Sequence, residues 1–390
     1  MFRHLFILIW NKKKQNFLLI TEMLISFLVV FAVFTLVVFN YRNYRKPMGI
    51  EYENVWVVNY NNTLKTNNAD SVMLFYEGLQ QIIKSMPQVR EVSYTSANIP
   101  FTQNSMMNGL DYKGKHINPN YCQSDEEYKN VLQIKMKEGR WFGKEDMNVS
   151  KRPIVINNTM KERLFGKESA TGKLIGDSKD LKIIGVIDDV KMKGDYTDAG
   201  AWLYVKIDTS SMPGIGRILV SVVPGTDAAF ESRLYKTIAN TMKDSNIEIE
   251  HLTSKLKDIN YFALVPMIIL SIVAGFLIIN VALGLFGVLW YNINKRRSEI
   301  GLRRAIGATS GSVSAQLVSE ALILATLSLI AGSFFAIQFP LLNVFDLPAG
   351  VYLTALALSV VFIYILVLIC SLYPGRQAAA IYPAVALHED

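Results

Sequence analysis

Residues 261–294 read YFALVPMIILSIVAGFLIINVALGLFGVLWYNIN, a run of 34 residues without one Asp, Glu, Lys or Arg. A helix crosses the hydrocarbon core of a bilayer with about 20 apolar residues, so this run is long enough to span a membrane. The whole chain agrees, because 51% of its 390 residues are hydrophobic and only 19% are charged. The sequence therefore predicts a membrane protein, and its composition excludes disordered, collagen-like and disulfide-scaffold classes.

Three other segments also reach spanning length. We expect the first of the four to remain as an anchor, because its apolar core is longer than that of a signal peptide and no small-residue cleavage site follows it. The second is longer than a bilayer requires, so it should tilt or continue outward, with residues 252–258 as a stalk. The four predicted transmembrane helices are residues 17–39, 261–291, 313–337 and 351–373.

The charges predict the orientation of these helices. Lys and Arg are concentrated in the N-tail, residues 1–16, and in the loop 292–312, whereas the loop 338–350 has none. By the positive-inside rule both termini, including the C-tail 374–390, should be cytoplasmic, and residues 40–260 should be extracytoplasmic. We thus expect a multi-pass protein of the inner (plasma) membrane. The net charge of +7 does not indicate a nucleic-acid partner, since binding of a phosphate backbone needs many clustered cations.

The N-tail has its own pattern, with apolar residues at i, i+3, i+4 and i+7 followed by three lysines. This spacing predicts an amphipathic helix that lies on membrane lipid at the cytoplasmic leaflet. It can serve as an anchor for the first span or bind a partner, and we favour the anchor. The apolar residues are Phe2, Leu5, Phe6 and Ile9.

Residues 40–260 predict a mixed domain with two similar ends. Strand, helix and strand patterns follow one another near its start and again near its end, which suggests one split α+β lobe, about residues 51–99 and 217–255, of ferredoxin-like type. The insertion, about residues 100–216, is richer in short strands and turns. The predicted fold class is therefore an α-helical membrane protein with four transmembrane helices plus an α+β extracytoplasmic domain of two lobes.

We find no catalytic or metal-binding pattern in the sequence. Asp188 and Asp189 are adjacent on an extended chain and face opposite ways, so we interpret them as solvated turn acids. Residues 166–169 lack the leading glycine of a phosphate loop and Ser or Thr directly after Lys, so the chain should not bind ATP itself. The histidines fall in unrelated regions, at His4, His116, His251 and His388.

The loop 292–312 carries the most specific stretch, KRRSEIGLRRAIGAT, at residues 295–309. On a helix Glu299 and Arg303 are four apart, in the orientation that favours an ion pair, and Gly307 can end the turn. A basic loop with a short interfacial helix needs only the cations. It would not predict the ordered string from Glu299 to Thr309.

That string resembles the signature of the FtsX-like permease family of ABC transporters, which includes MacB-type proteins. Five segments between residues 138 and 189 look like the MacB-type periplasmic core domain, namely residues 138–142, 154–157, 164–166, 172–173 and 183–189. Three later segments are similar to further family motifs, namely residues 316–320, 373–379 and 382–387. The resemblance covers nearly the whole chain.

The resemblance implies a permease subunit that pairs as a homo- or heterodimer and has periplasmic lobes called Porter and Sabre. Such subunits transmit ATP hydrolysis in the cytoplasm to movement in the periplasm, with efflux or export of a substrate as the expected outcome. MacB has its ATPase fused at the N-terminus, whereas about 16 residues precede the first span here, so we expect a separate ATPase chain that holds ATP and Mg. No cofactor is expected on this chain. The residues leave open whether a periplasmic adaptor and an outer-membrane channel take part.

In that family the loop between spans two and three docks on the ATPase. Carried over residue by residue, the resemblance implies six coupling positions: Glu299, Ile300, Gly301, Arg303, Arg304 and Gly307. Glu320, inside span three, is an intramembrane carboxylate for which we favour a functional or interhelical role over snorkelling. For Glu22, near the end of span one, we favour interfacial snorkelling. Four small residues on span two suit either a dimer interface or packing within one subunit: Ala274, Gly275, Gly284 and Gly287.

Two other functions stay in view. A signalling or scaffold protein that resembles FtsX would regulate periplasmic cell-wall hydrolases instead of moving a compound. An intramembrane or periplasmic enzyme is disfavoured, because the sequence shows no arrangement of nucleophile, base and metal ligands.

Overall fold

The computed structural model describes residues 13–64, 66, 68–147, 149–176 and 179–379. The apolar residues of the predicted N-terminal amphipathic helix and the motif at residues 382–387 lie outside this part. The chain forms two compact units: Asn43–Ala263, here the α/β unit, and Met1–Arg42 with Leu264–Asp390, here the helical unit.

The helices and strands follow one another along the chain. Three short 3₁₀ turns, at Lys144–Asp146, Met212–Gly214 and Val344–Asp346, complete them. In chain order the elements are α1 (Lys13–Tyr44), β1 (Val55–Asn59), α2 (Ala69–Lys84), β2 (Val89–Thr95), β3 (Leu110–Tyr112), β4 (Lys115–Ile117), β5 (Asn120–Ser124), α3 (Tyr128–Val131), β6 (Met136–Gly139), β7 (Arg152–Asn157), α4 (Asn158–Phe165), β8 (Leu174–Ile175), β9 (Leu181–Ile187), β10 (Trp202–Lys206), β11 (Arg217–Val222), α5 (Ala228–Thr241), β12 (Glu248–His251), α6 (Leu252–Lys295), α7 (Arg297–Ala305), α8 (Ser310–Leu341) and α9 (Ala349–Ala379).

Four helices are long and apolar enough to cross a membrane, as the hydropathy predicts. They are Phe17–Tyr44, Leu252–Lys295, Ser310–Leu341 and Ala349–Ala378. Each contains one predicted span and extends beyond it, because the predicted bounds cover only the residues that face hydrocarbon. The extension is longest in α6, which begins at Leu252, the first residue of the predicted stalk.

The helical unit has one shared apolar core. Met23, Phe27 and Phe31 recur every four residues on α1 and are fully or almost fully buried. Gly332 of α8 lies against this stripe, since a Cβ there would come within 2.4 Å of Phe27 Cδ1. Ser328 Oγ donates to the carbonyl oxygen of Ile20 at 3.1 Å. Small residues and a hydroxyl group therefore bring α1 and α8 close together.

The four small residues of α6 divide into two pairs. Ala274 is buried, and a Cβ at Gly284 would lie 2.9 Å from Glu22 Oε2. The carboxylate of Glu22 thus lies against α6, which the snorkelling prediction did not include. Positions 275 and 287 are different, because a Cβ at either glycine would meet nothing within 4 Å.

The α/β unit contains a 10-stranded sheet in the order β12-β1-β11-β2-β5-β10-β7-β9-β6, with β8 paired to β9. Strands β12, β1, β11 and β2 are antiparallel and come from the two predicted strand-helix-strand units, interleaved. The inserted strands continue the same sheet, since β2 meets β5 at Thr95 and Ser124. The predicted lobes are therefore two halves of one sheet.

The sheet has a core on each face, because side chains alternate along a strand. On β1, Trp56 and Val58 point to the core that α2 and α5 cover, and Val55 and Val57 point to the other core. Side-chain caps fix the starts of both helices. Asn68 Oδ1 accepts from the backbone N–H of Ser71 at 3.0 Å, and the Asp227 side chain caps α5 in the same way.

The segment at residues 138–142, one of the family-like motifs, closes an edge of the sheet. Gly139 has φ +65°, and a Cβ there would lie 2.2 Å from the carbonyl oxygen of Ile184. A Cβ at Gly185 would lie 2.2 Å from the carbonyl oxygen of Arg140. The glycines of β6 and β9 face each other, so this edge pairs at a distance that no side chain allows.

One interpretation of the sequence was wrong. Asp189 is not merely a solvated turn acid, because its carboxylate holds the start of α4. Asp189 Oδ1 accepts from the backbone N–H of Thr159 at 2.8 Å and from Asn157 Nδ2 at 2.7 Å. Asp189 Oδ2 accepts from Thr159 Oγ1 at 2.9 Å. Asp188 is exposed, as a turn acid should be.

Candidate coupling site

Helix α7 follows α6 after a break at one residue, Arg296. The backbone N–H of Arg296 donates to the carbonyl oxygens of Asn292 and Ile293, both at 3.2 Å, and its ψ of 20° turns the chain out of the α6 axis. At the other end Gly307, with φ +104°, stops α7, and Thr309 Oγ1 accepts from the backbone N–H of Ser312 to start α8. Helix α7 is thus a separate short helix between two long ones.

The inner face of α7 is apolar and buried. Ile300 is 7% exposed, and the adjacent Gly301 is buried as well. Ile300 packs in a small cluster whose other members come from α6, α8 and α9: Ile293, Val313, Leu317 and Ala378. This cluster, here called the root of α7, attaches α7 to the ends of three long helices.

The opposite face carries two exposed apolar side chains. Leu302 is 54% exposed and Ile306 is 79% exposed. Ile306 directly follows the last residue of α7, and its backbone N–H donates to the carbonyl oxygen of Leu302 at 3.1 Å, so the two side chains are neighbours on the helix surface. Residues two apart on a helix point in different directions, so Ile300 is buried whereas Leu302 is exposed.

A chain of polar contacts joins α7 to α8. Glu299 Oε1 accepts from Arg303 Nη2 at 2.5 Å, as the spacing predicts. Arg303 Nη1 donates to Gln316 Oε1 at 2.9 Å, and Gln316 Nε2 donates to Glu320 Oε1 at 3.4 Å. The last contact in this series is from Arg296 Nη1, which donates to Glu320 Oε1 at 2.9 Å.

The structure places the predicted site residues in different positions on and around one short helix. Glu299 and Arg303 lie on its accessible side, Ile300 and Gly301 on its buried side, Arg304 is half-buried, and Gly307 ends it. Glu320 takes part in an interhelical bond, one of the two roles favoured for it.

Sequence reasoning missed four contributors: two exposed apolar residues, one arginine at the joint before α7 and one glutamine on α8. The i, i+4 spacing of the apolar pair was a usable signal. Nothing in the sequence showed which cation would reach the intramembrane acid, since it lies 24 positions away. The missed residues are Leu302, Ile306, Arg296 and Gln316.

No metal centre accompanies this site in the described ranges. There, no group of three or more His, Cys, Asp or Glu side chains is placed to hold a metal ion.

Two protein families match the chain. The family described as MacB-like periplasmic core domain matches residues 17–235, and the family described as FtsX-like permease C-terminal matches residues 271–383. The second match contains α7 and its contacts on α8, and the first covers more than half of the chain.

Individual relatives are distant in sequence. The chain is 23% identical over 324 residues to the macrolide export ATP-binding/permease protein MacB of Wolinella succinogenes, which covers 80% of this chain and 48% of that protein. It is 22% identical over 264 residues to the uncharacterized ABC transporter permease YknZ of Bacillus subtilis, which covers 66% and 61%. The chain spans less than half the length of the MacB relatives it matches.

Two solved structures align with part of the chain. The periplasmic region of MacB from Actinobacillus actinomycetemcomitans aligns with a TM-score of 0.38 at 16% identity, over 56% of this chain and 98% of that one. The extracellular domain of YknZ, a noncanonic ABC-type transporter from Gram-positive bacteria, aligns with a TM-score of 0.35 at 17% identity, over 50% of this chain and all of that one.

Proposed function

Since the chain belongs to the FtsX-like and MacB-type family of ABC transporter permeases, we propose that it is a non-catalytic subunit that transmits ATP hydrolysis to movement of its extracytoplasmic domain. It does so as a dimer, with ATP and Mg held by separate ATPase subunits. The observation that carries the proposal is the two-faced helix α7, which is rooted among the long helices and presents apolar side chains outward.

The outward face of α7 suits a protein partner. Leu302 and Ile306 would expose apolar surface to water in a loop that carries several Lys and Arg, and such surface is stabilised when a partner covers it. The Glu299–Arg303 pair lies beside them and supplies polar groups for the rim of an interface. An ATPase subunit is the occupant that fits a permease of this family.

The buried face explains why force on α7 would reach the membrane helices. Ile300 packs against residues of α8 and α9, and Gly301 keeps this side of the helix narrow. Gly307 ends α7 before the chain turns into α8. We assign the six predicted coupling positions accordingly: Glu299 and Arg303 to the docking rim, Ile300 and Gly301 to the root, and Arg304 and Gly307 to the C-terminal end.

The family places the α/β unit outside the cytoplasm, on an inner-membrane protein. The docking face of α7 must then be cytoplasmic to meet an ATPase. The abundance of Lys and Arg in the loop 292–312 supports this, and both chain termini lie on the same side in the same scheme. Movement of the extracytoplasmic domain then drives efflux or export of a substrate.

The first experiment is co-purification of the ATPase with the tagged full-length protein from mildly solubilised membranes, followed by mass spectrometry. Leu302→Ser with Ile306→Ser should lower the retained ATPase at least about tenfold, because two apolar anchors are lost from one interface. Glu299→Ala with Arg303→Ala should lower it less, since exposed ion pairs contribute little.

Leu342→Ser is the matched control, because the exposure of Leu342 lies between those of Leu302 and Ile306 and the residue lies just beyond the far end of α8. It should leave the retained ATPase unchanged. Normal retention by the Leu302 and Ile306 double variant, at normal membrane levels, would refute α7 as the docking element. Proteins retained besides the ATPase separate two roles: a periplasmic adaptor with an outer-membrane channel indicates efflux, and a cell-wall hydrolase indicates regulation.

A further inference from the structure

We propose that Arg296 and Glu320 are a positioning pair that fixes α7 to α8, so that movement imposed on α7 passes to α8. The inference rests on the proposed function, because it needs an ATPase that moves α7. It concerns a different step, however, since the pair lies behind the docking face and transmits the movement.

Both side chains of the pair are largely buried. Arg296 Nη1 lies 2.9 Å from Glu320 Oε1, and the two side chains are only 17% and 12% exposed. Glu320 is the eleventh residue of α8, about 15 Å along that helix from its first residue at a rise of 1.5 Å per residue. The arginine therefore bonds a carboxylate that lies well inside α8 and not at its first turn.

Arg296 also sits at the joint. It is the residue between the last residue of α6 and the first residue of α7, and its side chain makes no cap on α7. Its guanidinium is instead directed to a different helix. If this residue were only a turn between two helices, it would not need a long side chain with a buried ionic partner.

A second polar attachment lies at the other end of α7. Arg303 bonds Gln316, which precedes Glu320 by one helical turn on α8 and bonds the same carboxylate oxygen. Ile300 packs against Val313 and Leu317 in the apolar cluster between the two attachments. Helix α7 is thus held to α8 at two polar points and one apolar point.

Without the bond between Arg296 and Glu320, α7 would be free to pivot. The residues that flank it are Arg296, where the helix axis breaks, and Gly307, whose φ of +104° marks a sharp turn. A helix between two breaks can rotate on its apolar contact and absorb a displacement locally. The bond between Arg296 and Glu320 removes that freedom at the α6 end, because a buried ion pair loses much of its stabilisation when its partners separate.

The test follows hydrogen exchange in the complete complex of the full-length chain with its ATPase, compared with and without ATP plus vanadate. In the wild type we expect peptides of both α7 and α8 to change their exchange when the nucleotide is trapped. In Arg296→Gln the change in α7 should persist, whereas the change in α8 should fall at least about fivefold, the lower end of ordinary coupling between sites. An α8 response equal to that of the wild type would overturn the inference.

Two further variants exclude a purely structural effect. Glu320→Gln keeps the shape of the side chain and should have the same effect as Arg296→Gln. The double variant should reduce the α8 response no further than either single one, because both remove the same bond; independent losses that multiply would overturn the pair. Lys295→Gln is the control, since Lys295 is exposed, adjacent to Arg296 and directed over the ring of Tyr291.

The readouts also separate this inference from the proposed function. Failure of the ATPase to co-purify, or absence of any nucleotide response in wild-type α7, would count against α7 as the docking element. Normal co-purification and a normal α7 response, together with an undiminished α8 response in Arg296→Gln, would refute only the positioning pair.

Discussion

Replacement of Gly185 by alanine should destabilise the α/β unit through one backbone clash. Gly185 lies on β9, and a Cβ built there comes within 2.2 Å of the carbonyl oxygen of Arg140 and 2.7 Å of Met136 Cε. The methionine side chain can move, but the carbonyl belongs to the backbone just after β6. The added methyl group must therefore push the edge strand away.

The size of the effect follows from that geometry. Ordinary contact begins near 3.4 Å, so the strands must separate by about 1 Å. Overpacking of this kind costs about 1–3 kcal/mol. Separation also weakens the bond from the N–H of Arg140 to the oxygen of Ile184, now 3.1 Å, and each lost bond costs about 1 kcal/mol. We expect a loss of about 3 kcal/mol, which lowers the Tm of a domain this size by about 10 °C.

The assay is urea and thermal unfolding of the α/β unit, residues 43–263, followed by circular dichroism. Gly78→Ala is the matched control, because Gly78 lies exposed on α2 and a Cβ there meets nothing within 4 Å. It should stabilise the unit by about 0.5–1 kcal/mol, the helix propensity of alanine over glycine. If Gly185→Ala unfolded within about 1 kcal/mol of the wild type, the close pairing of β6 and β9 would be refuted.

Two further predictions concern pH and topology. Lys161 beside Glu138 holds the pKa of that carboxyl below its ordinary value of 4.5, so its stabilising contribution is present above that pH and is lost as the pH falls through the folded-state pKa. The wild-type α/β unit should therefore lose more stability between about pH 5 and pH 3 than Glu138→Gln, and equal losses in urea titrations would contradict this. In a background with both native cysteines changed to alanine, Phe345→Cys should react with a membrane-impermeant maleimide on intact cells, whereas Lys295→Cys should react only after permeabilisation; the reverse pattern would overturn the orientation.

The spans and the ends of the α/β unit could be predicted because their signals are local. An apolar run longer than a bilayer requires has few alternatives to a transmembrane helix. The strand-helix-strand patterns near both ends of the unit were also recognisable, since α2 and α5 show apolar residues at helical spacing between short β-branched runs. The strands of the two predicted strand-helix-strand units therefore lie side by side in the sheet, interleaved in the order β12-β1-β11-β2.

What could not be predicted depends on residues far apart in the chain. Gly139 and Gly185 are separated by 46 positions, and neither shows by itself that the other lies opposite. The capping role of Asp189 depends on Thr159, which lies 30 positions earlier at the start of α4. That the two predicted lobes share one sheet could not be predicted either, because periodicity does not reveal whether an insertion starts a new sheet or extends an existing one.

The candidate site depends both on a local sequence signal and on contacts between residues far apart in the chain. The family-like string from Glu299 to Gly307 identifies α7 from local signals, but it mixes residues of the exposed face with residues of the buried face. Substitutions on the outward face, at Leu302 and Ile306, should release the ATPase and leave the root intact. Substitutions at Arg296 and Glu320, on the buried side, should leave the ATPase bound but prevent movement of α7 from passing to α8. A permease whose α7 were only an adhesive surface would show the first class of defect without the second, so the existence of variants that bind the ATPase and fail to respond is what distinguishes a transmitting helix from a docking one.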